Sequence, residues 1–230
     1  PRRLRAIRDV SPLDDALTVE AGVTLYEAQQ AALAVQRRFP LSLASEGTAT
    51  VGGGLSTNAG GTSVLRYGMA RDLVLGIEAV LADGRVFNGL KRLRKDNTGY
   101  HLKQLLIGAE GTLGIITAAT LKLSPVLRGR ATAMVGLDTP QQAVALLARA
   151  KAESGGGVEA FELMKRLGTE LVLKWIPDTR EPLESAPPWS VLIELGSGDA
   201  DTAPAALERL LAAPACGFVP DQSVVGGGIG

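Results

Sequence analysis

The chain has few of the residues on which several kinds of site depend. Among its 230 residues it has one cysteine, Cys216, and one histidine, His101. A single cysteine excludes a disulfide within the chain, which fits a reducing compartment, and a single histidine excludes a metal site built from two histidines. The spacing of Cys216 and His101 gives no support to a catalytic Cys–His pair. We expect Cys216 to be a small buried apolar residue and His101 to be solvated.

The composition also excludes several partners. Aromatic residues make up 4% of the chain, and 24 basic residues balance 24 acidic ones, so neither a stacking surface for single-stranded nucleic acid nor a basic field is expected. No apolar run reaches the length of about 18 residues that a membrane-spanning helix needs. We expect a cytoplasmic protein with a sizeable core, and we leave peripheral membrane association and a homodimer open.

The most informative stretch is residues 45–61, the first glycine-rich segment. Six glycines lie between Gly47 and Gly61, with threonines and one asparagine between them. Glycine permits positive φ and a close approach of the backbone to a ligand, and successive N–H groups in such turns form a concave nest for anions. The segment therefore predicts a backbone cradle for a diphosphate or a flat polar ring. A flexible linker is the alternative, although linkers are more uniform in glycine and serine.

The first half of the chain shows mainly strand patterns. A helix is predicted to begin near Thr24, with Glu27 at the capping-box spacing, and to end at Pro40. Asp83-Gly84 predicts a hairpin turn. A short helix over 100–107 is followed by the second glycine-rich segment, residues 108–114. Strands are predicted at residues 4–10, 16–20, 73–81, 85–90 and 115–123, the last with one buried face.

The second half alternates strands and helices. Thr139-Pro140-Gln141-Gln142 has the capping residue, the N1 proline and the N3 glutamine of a helix start. An exposed loop is expected at 177–188. Further helices are predicted at 167–175 and 202–212, with strands at 131–137, 158–163 and 189–195. This order favours an antiparallel sheet with helices on one face.

Five segments in order resemble the FAD-linked oxidase family of the vanillyl-alcohol-oxidase and cresol-methylhydroxylase type. Within that family, the branch of D-2-hydroxyglutarate, D-lactate and glycolate dehydrogenases is the most similar. The resemblance is dense over residues 18–124 and weaker to about residue 225. The segments are TVGGGLSTNAGG (50–61), RYG (66–68), VLADG (80–84), KDNTGY (95–100) and IGAEGTLGIIT (107–117).

The resemblance implies an α+β fold in two parts. Residues 1–127 would be the second half of a two-subdomain FAD-binding fold, and residues 128–230 the start of an α+β cap domain with an antiparallel sheet. The family's upstream phosphate-binding turn and its downstream histidine-rich motif have no counterpart here. The chain thus resembles an internal part of a longer flavoenzyme, and we expect the isolated chain neither to hold FAD tightly nor to oxidise a 2-hydroxy acid.

The resemblance also assigns cofactor contacts by motif position. Residues of the first glycine-rich segment would run along the flavin, its ribityl chain and the diphosphate, and those after Ile107 would face the adenine end. Glu110 would either accept a hydrogen bond from the cofactor or cap a turn, and the isoleucines would form an apolar wall or ordinary strand core. For Arg66, Tyr67 and Asn97 a structural role is the stronger interpretation. The cofactor-binding candidates are Ser45, Thr50, Gly53, Thr57, Asn58, Ala59, Gly60, Gly61, Glu110, Gly111, Gly114, Ile115 and Ile116.

The implied activity is the FAD-dependent oxidation of a D-2-hydroxy acid to the 2-oxo acid, with electrons passed to an unidentified acceptor. The cofactor accepts hydride while a base takes the hydroxyl proton. By resemblance that base, and a divalent metal, would belong to a cap segment outside this chain, so no catalytic residue or metal ligand is assigned within it. Neither glycine-rich segment contains histidine or cysteine, which predicts non-covalent FAD.

Three alternatives remain at this stage. One is an aryl-alcohol or alditol oxidase of the same superfamily, whose members tend to tether FAD through histidine or cysteine. The second is a truncated flavin-binding remnant without activity. The third is a Rossmann NAD-binding domain, which needs a glycine turn that leads directly into a helix. Because the sequence predicts more loop after the glycines at 52–54, the Rossmann alternative is the weakest.

Overall fold

The fold is described by a computed structural model, which covers residues 3–212 and 223–224. The chain divides into two compact units, Pro1–Val126 and Leu127–Gly230. Each unit has its own cluster of buried apolar side chains. Cys216, expected to be buried, lies outside the described residues.

The described part of the first unit is built around a five-stranded sheet. Its strands follow the order β1-β2-β6-β4-β5, and each neighbouring pair is antiparallel. A separate pairing joins β3 to β7. The elements are β1 (Ile7–Ser11), β2 (Ala16–Glu20), α1 (Leu25–Leu33), β3 (Arg37–Arg38), α2 (Val51–Ser56), α3 (Val64–Tyr67), a 3-10 turn (Ala70–Leu73), β4 (Val74–Val80), β5 (Val86–Asn88), α4 (Lys103–Leu106), β6 (Ile115–Lys122) and β7 (Ser124–Pro125).

The start of α1 is confirmed, whereas its predicted end is wrong. The Thr24 hydroxyl accepts the Glu27 N–H, and the Glu27 carboxylate accepts the Thr24 N–H at 2.8 Å. The helix ends at Leu33, well before Pro40, because Gln36 takes a left-handed conformation with φ of 57° and turns the chain. Proline stops a helix that reaches it, but here a turn intervenes first.

The strands β4 to β6 confirm the predicted hairpin and correct one burial pattern. Gly84 has φ of 85°, and the Asp83 carboxylate accepts the Arg85 N–H at 3.0 Å. Strand β6 was expected to bury one face. It pairs with both β2 and β4, and consecutive residues from Ala118 to Leu121 are buried. Because successive residues of a strand face opposite sides of the sheet, both faces of β6 are covered here and the expected alternation is lost.

The described part of the second unit is a four-stranded antiparallel sheet in the order β11-β8-β10-β9. Helices α5 and α7 pack against each other and against this sheet, and their apolar side chains share one core with Val135, Ile193 and Leu195. The elements are β8 (Gly129–Leu137), α5 (Pro140–Glu153), β9 (Val158–Lys165), α6 (Arg166–Trp175), β10 (Trp189–Ser197), α7 (Thr202–Ala212) and β11 (Ser223–Val224). The predicted α+β class with antiparallel sheets is confirmed.

Helix α6 does not pack as predicted, with the other helices on one face of the sheet. None of its residues is buried, and its apolar side chains line a cavity of about 710 Å³ together with Met134 and Met164. Arg166 holds the start of the helix, since its guanidinium bonds Glu170 at 3.2 Å and Glu181 at 2.7 Å. The prediction of helices on one face therefore holds for α5 and α7 but not for α6.

Replacing Thr139 with alanine is expected to destabilise the second unit. The Thr139 hydroxyl accepts the Gln142 N–H, and the Gln142 side chain accepts the Thr139 N–H at 3.0 Å. Loss of such a cap costs about 1 kcal/mol of unfolding free energy, measured by urea denaturation. Thr139→Asp is the matched control, because aspartate accepts the same N–H and should retain most of the stability. Equal stability of the alanine variant and the wild type would contradict this account.

Candidate functional site

The first glycine-rich segment is not a loop throughout, because Val51–Ser56 forms the short helix α2. Three consecutive glycines are unfavourable in a helix, at about 1 kcal/mol each relative to alanine, so packing contacts must stabilise the helical conformation of α2. The Gly52 N–H donates to the Ala21 carbonyl at 2.8 Å, and a Cβ at Gly52 would lie 2.6 Å from the Ala21 Cβ. Glycine is therefore required where α2 rests on the chain just after β2.

The glycines of this segment do not supply positive φ, which corrects the sequence analysis. Asn58, with φ of 50°, is the residue between 45 and 61 that takes the left-handed conformation. Gly61 instead allows close packing, since a Cβ there would overlap the carbonyl oxygen of Ser42. Gly60 is exposed, and a Cβ there would lie 3.3 Å from side-chain carbons of Val64 and Met69.

Several polar side chains that were expected to face a ligand serve the local fold. The Thr50 hydroxyl accepts the Gly53 N–H and caps α2, and the Thr57 hydroxyl donates to the Gly53 carbonyl at 3.1 Å. The Asn58 side-chain oxygen accepts the Arg71 N–H at 3.0 Å. The Ser45 carbonyl accepts the N–H groups of the turn that follows it. The backbone therefore carries more of the capacity to bind a ligand than these side chains do.

The second glycine-rich segment, unlike the first, has glycines with positive φ angles. Gly108 and Gly111 both have φ of 81°, which glycine adopts without strain. Glu110 between them has φ of 50°, an uncommon conformation for a residue with a long side chain. Its N–H is already used inside the fold, while its side chain is exposed.

The structure joins the two glycine-rich segments at their backbones. The Gly108 N–H donates to the Leu55 carbonyl at 3.0 Å, and the Glu110 N–H donates to the Ser56 carbonyl at 3.0 Å. Arg71 reinforces the junction, because its backbone N–H bonds Asn58 and its guanidinium donates to the Ile107 carbonyl at 2.8 Å. Segments far apart in the sequence thus form one continuous surface, which we call the glycine surface.

The glycine surface presents several backbone N–H groups. Within residues 3–212 and 223–224, these groups have no recorded hydrogen-bond partner and belong to exposed or half-buried residues. Charged side chains are sparse, since residues 47–65 contain none and residues 107–117 contain Glu110 alone. An anionic ligand here would be held by backbone dipoles. The N–H groups belong to Gly60, Gly61, Thr62, Gly111, Leu113 and Gly114.

Only one of the two candidate isoleucines can form an apolar wall. Ile115 is 57% exposed and its Cδ1 lies close to Gly111, so its side chain borders the glycine surface. Ile116 is 4% exposed and belongs to the core of the first unit. Successive residues of a strand face opposite sides, so the side chain of Ile116 is strand core, the alternative to the wall that the sequence analysis left open.

Other residues singled out from the sequence lie outside the glycine surface. The guanidinium groups of Arg38 and Arg66 each lie 5.3 Å from the centroid of the Tyr67 ring, a cation–π arrangement. Asn97 is exposed in the long loop after β5. His101 is exposed too, as expected. Sequence reasoning missed Arg71 and Ser42, whose roles depend on contacts with residues remote in the chain.

Two family models match this chain. A family model described as "FAD binding domain" matches residues 2–89, and one described as "FAD linked oxidases, C-terminal domain" matches residues 127–224. The two matches together span most of the chain, and each falls within one of its two units. The chain belongs to the FAD-linked oxidase family.

Curated relatives align with most of this chain but with a minor part of their own length. D-2-hydroxyglutarate–pyruvate transhydrogenase of Saccharomyces cerevisiae is 38% identical over 193 residues, which are 84% of this chain and 39% of that protein. The mitochondrial D-2-hydroxyglutarate dehydrogenase of Bos taurus is 44% identical over 177 residues, 75% of this chain and 32% of that protein. The chain thus spans well under half the length of these relatives.

A solved structure supports the fold alone. Alkyldihydroxyacetonephosphate synthase superposes with a TM-score of 0.73 at 19% identity, over 91% of this chain and 41% of that one. In the described part of the chain, no helix is long and apolar enough to cross a membrane. Among the same residues, no group of three His, Cys, Asp or Glu side chains could hold a metal ion.

Proposed function

We propose that this chain is part of a FAD-dependent dehydrogenase that oxidises a D-2-hydroxy acid to the 2-oxo acid. The observation that carries the proposal is the glycine surface, where the Gly108–Leu55 and Glu110–Ser56 hydrogen bonds join both glycine-rich segments. Those segments lie within the part of the chain that resembles FAD-linked oxidases most densely. Both curated relatives described above carry D-2-hydroxyglutarate in their names, so this dicarboxylate is the first substrate to test.

The glycine surface fits the chemistry of FAD. Small residues leave the backbone open to a flat ring, and a diphosphate gains charge-assisted hydrogen bonds from N–H groups without a charged side chain. In the proposed arrangement the N–H groups of Gly60 and Gly61 meet the phosphate and ribityl oxygens, and Ile115 covers the adenine end. When bound, FAD would accept the hydride from the substrate carbon. The remaining proposed contacts come from Ser45, Thr50, Gly53, Thr57, Asn58, Ala59, Glu110, Gly111 and Gly114.

The role of this chain in the proposed reaction is to bind and orient the cofactor. Residues 1–127 would form the cofactor-binding part, and residues 128–230 would begin the domain that covers the substrate. The base that removes the hydroxyl proton, and a divalent metal beside it, are assigned to the longer parent protein. The same proposal includes an unidentified electron acceptor and the assembly of the parent protein as a homodimer. A cytoplasmic location stays a prediction, since several relatives carry "mitochondrial" in their names.

The parent protein is expected to bind FAD non-covalently. Neither glycine-rich segment contains the histidine or cysteine that a covalent flavin link needs. Acid precipitation of the purified parent should therefore release all the flavin into the supernatant, measured by its absorbance and mass. Flavin that stays in the pellet and maps to a peptide of this chain would contradict the proposal.

The proposed activity is tested with the parent protein and a panel of hydroxy acids. D-2-hydroxyglutarate, D-lactate and glycolate are each supplied with an artificial dye as electron acceptor, and L-2-hydroxyglutarate serves as the matched control. Reduction of the dye with the D-enantiomer and not with the L-enantiomer is the expected result. A parent that binds FAD yet oxidises only aryl alcohols or alditols would support the alternative oxidase. No turnover with any of them would support the non-catalytic remnant.

A further inference from the structure

The first unit contains a cavity that the proposed cofactor surface does not use. Its volume is about 270 Å³. The cavity lies among the 3-10 turn Ala70–Leu73, the start of β4, the loop after β5, helix α4 and the last residue of β6. All of these elements belong to one compact unit. The floor is apolar, from Val74, Leu75 and Phe87.

The wall of this cavity has an excess of positive charge. Five cationic side chains line it, against two carboxylates. One carboxylate is paired with a cation, since Asp96 accepts the Lys91 ammonium at 2.6 Å. Asp72 accepts the neutral Met69 N–H at 2.9 Å and keeps its charge, but the cations still outnumber the carboxylates. The hydrogen bond from Lys91 is the main reason that the pKa of Asp96 falls to about 2. The cations are Arg71, Lys91, Arg94, Lys103 and Lys122.

Three of these cations have no carboxylate partner among the described residues. The Lys103 ammonium donates to the carbonyls of Val74 and Leu75 at 2.9 and 2.8 Å. The Lys122 ammonium donates to the Asp72 carbonyl. The Arg71 guanidinium donates to oxygens of Gln104 at 3.0 and 3.1 Å as well as to Ile107. Carbonyl oxygens satisfy these donors in part but leave their charges unneutralised.

The two lysines retain unused donors beside one another. An ammonium has three N–H groups, so Lys103 keeps one and Lys122 keeps two. Lys103 is half-buried, and its pKa is lowered first by burial and then by the nearby charge of Lys122, against a smaller opposing effect of the Asp96 carboxylate. A fold that holds like charges together in a partly buried cavity gains free energy when an anion occupies it.

We propose that this cavity binds a phosphate group. Lysine binds phosphate as a point charge, and arginine adds directional N–H donors. The volume of about 270 Å³ lies below the range of roughly 300–1,000 Å³ that is typical of pockets for drug-sized ligands, so the cavity is too small to enclose a dinucleotide. The ligand is inorganic phosphate or a small phosphate monoester whose carbon body rests on Val74, Leu75 and Phe87.

The test measures phosphate binding to the 230-residue chain by isothermal titration calorimetry at low salt. Inorganic phosphate, glycerol phosphate and glutarate are titrated separately, because the first two distinguish free phosphate from an ester and the third is a dianion without phosphorus. Lys122→Gln removes the charge but keeps an amide donor for the Asp72 carbonyl. Lys151→Gln is the matched control, because Lys151 is exposed on α5 in the other unit.

Saturable binding of either phosphate ligand is the expected result. Lys122→Gln should weaken it by about tenfold or more, since one charge-assisted hydrogen bond is lost, and Lys151→Gln should leave it unchanged. Lys103→Gln serves as the second variant if circular dichroism shows that Lys122→Gln is misfolded. Absence of phosphate binding, equal affinity for glutarate, or equal loss in the Lys151 control would overturn the proposal.

Discussion

Alanine at Gly61 is expected to destabilise the first unit by about 3 kcal/mol, in line with severe overpacking. The reason is geometric, because the added Cβ would overlap the Ser42 carbonyl oxygen, which belongs to the backbone and cannot move aside as a flexible side chain can. Urea denaturation measures the change in unfolding free energy. Flavin content of the purified parent should fall together with stability, since the backbone on both sides of Gly61 must shift.

The matched control for this substitution is Gly47→Ala in the same segment. A Cβ at Gly47 meets no atom within 4 Å, and Gly47 does not have a positive φ. Its unfolding free energy should stay within about 0.5 kcal/mol of the wild type, as for most surface substitutions. Equal effects at the two glycines would show that the packing of Gly61 against Ser42 does not hold the segment in place.

Valine at Gly60 is expected to remove FAD binding from the parent protein while the fold persists. Gly60 is exposed, and the nearest atoms to an added Cβ are side-chain carbons of Val64 and Met69, which can move. The branched side chain would cover the N–H groups of Gly60 and Gly61. Loss of two hydrogen bonds to charged groups weakens binding by about a hundredfold or more, measured by flavin fluorescence titration.

Gly47→Val controls for the general effect of a branched residue in this segment. It should bind FAD with nearly the affinity of the wild type, because the space around Gly47 is open. Circular dichroism should show unchanged secondary structure in both variants. An unchanged FAD affinity of the Gly60 variant, with the control also unchanged, would show that these N–H groups do not contact the cofactor.

The elements that the sequence predicts well are those whose signals are local. In the capping boxes at Thr24 and Thr139, the partner residue lies only three residues along the chain. Asp83-Gly84 likewise forms its turn with neighbouring residues. Helix α2 was missed because its three glycines are poor helix formers. The conformation of α2 depends instead on the contact between Gly52 and Ala21, which no local sequence pattern predicts.

For the candidate site, sequence resemblance selects the segments but not how they join. Both glycine-rich segments were identified, yet their hydrogen bonds through Leu55 and Ser56 depend on the tertiary fold. The same holds for Arg71, whose guanidinium reaches Ile107. The different positions of Ile115 and Ile116 have another cause: both are apolar, so their order along β6 does not reveal which one faces the core.

The central claim is that the two glycine-rich segments form one surface that binds FAD. Hydrogen–deuterium exchange of the parent protein, with and without FAD, tests it most directly, because the backbone N–H groups are the proposed contacts. FAD should slow exchange together at residues 60–62 and 111–114, while the exposed residues 177–180 serve as an internal reference and stay unchanged. Unaltered exchange in both glycine-rich segments of the FAD-loaded protein would contradict the account.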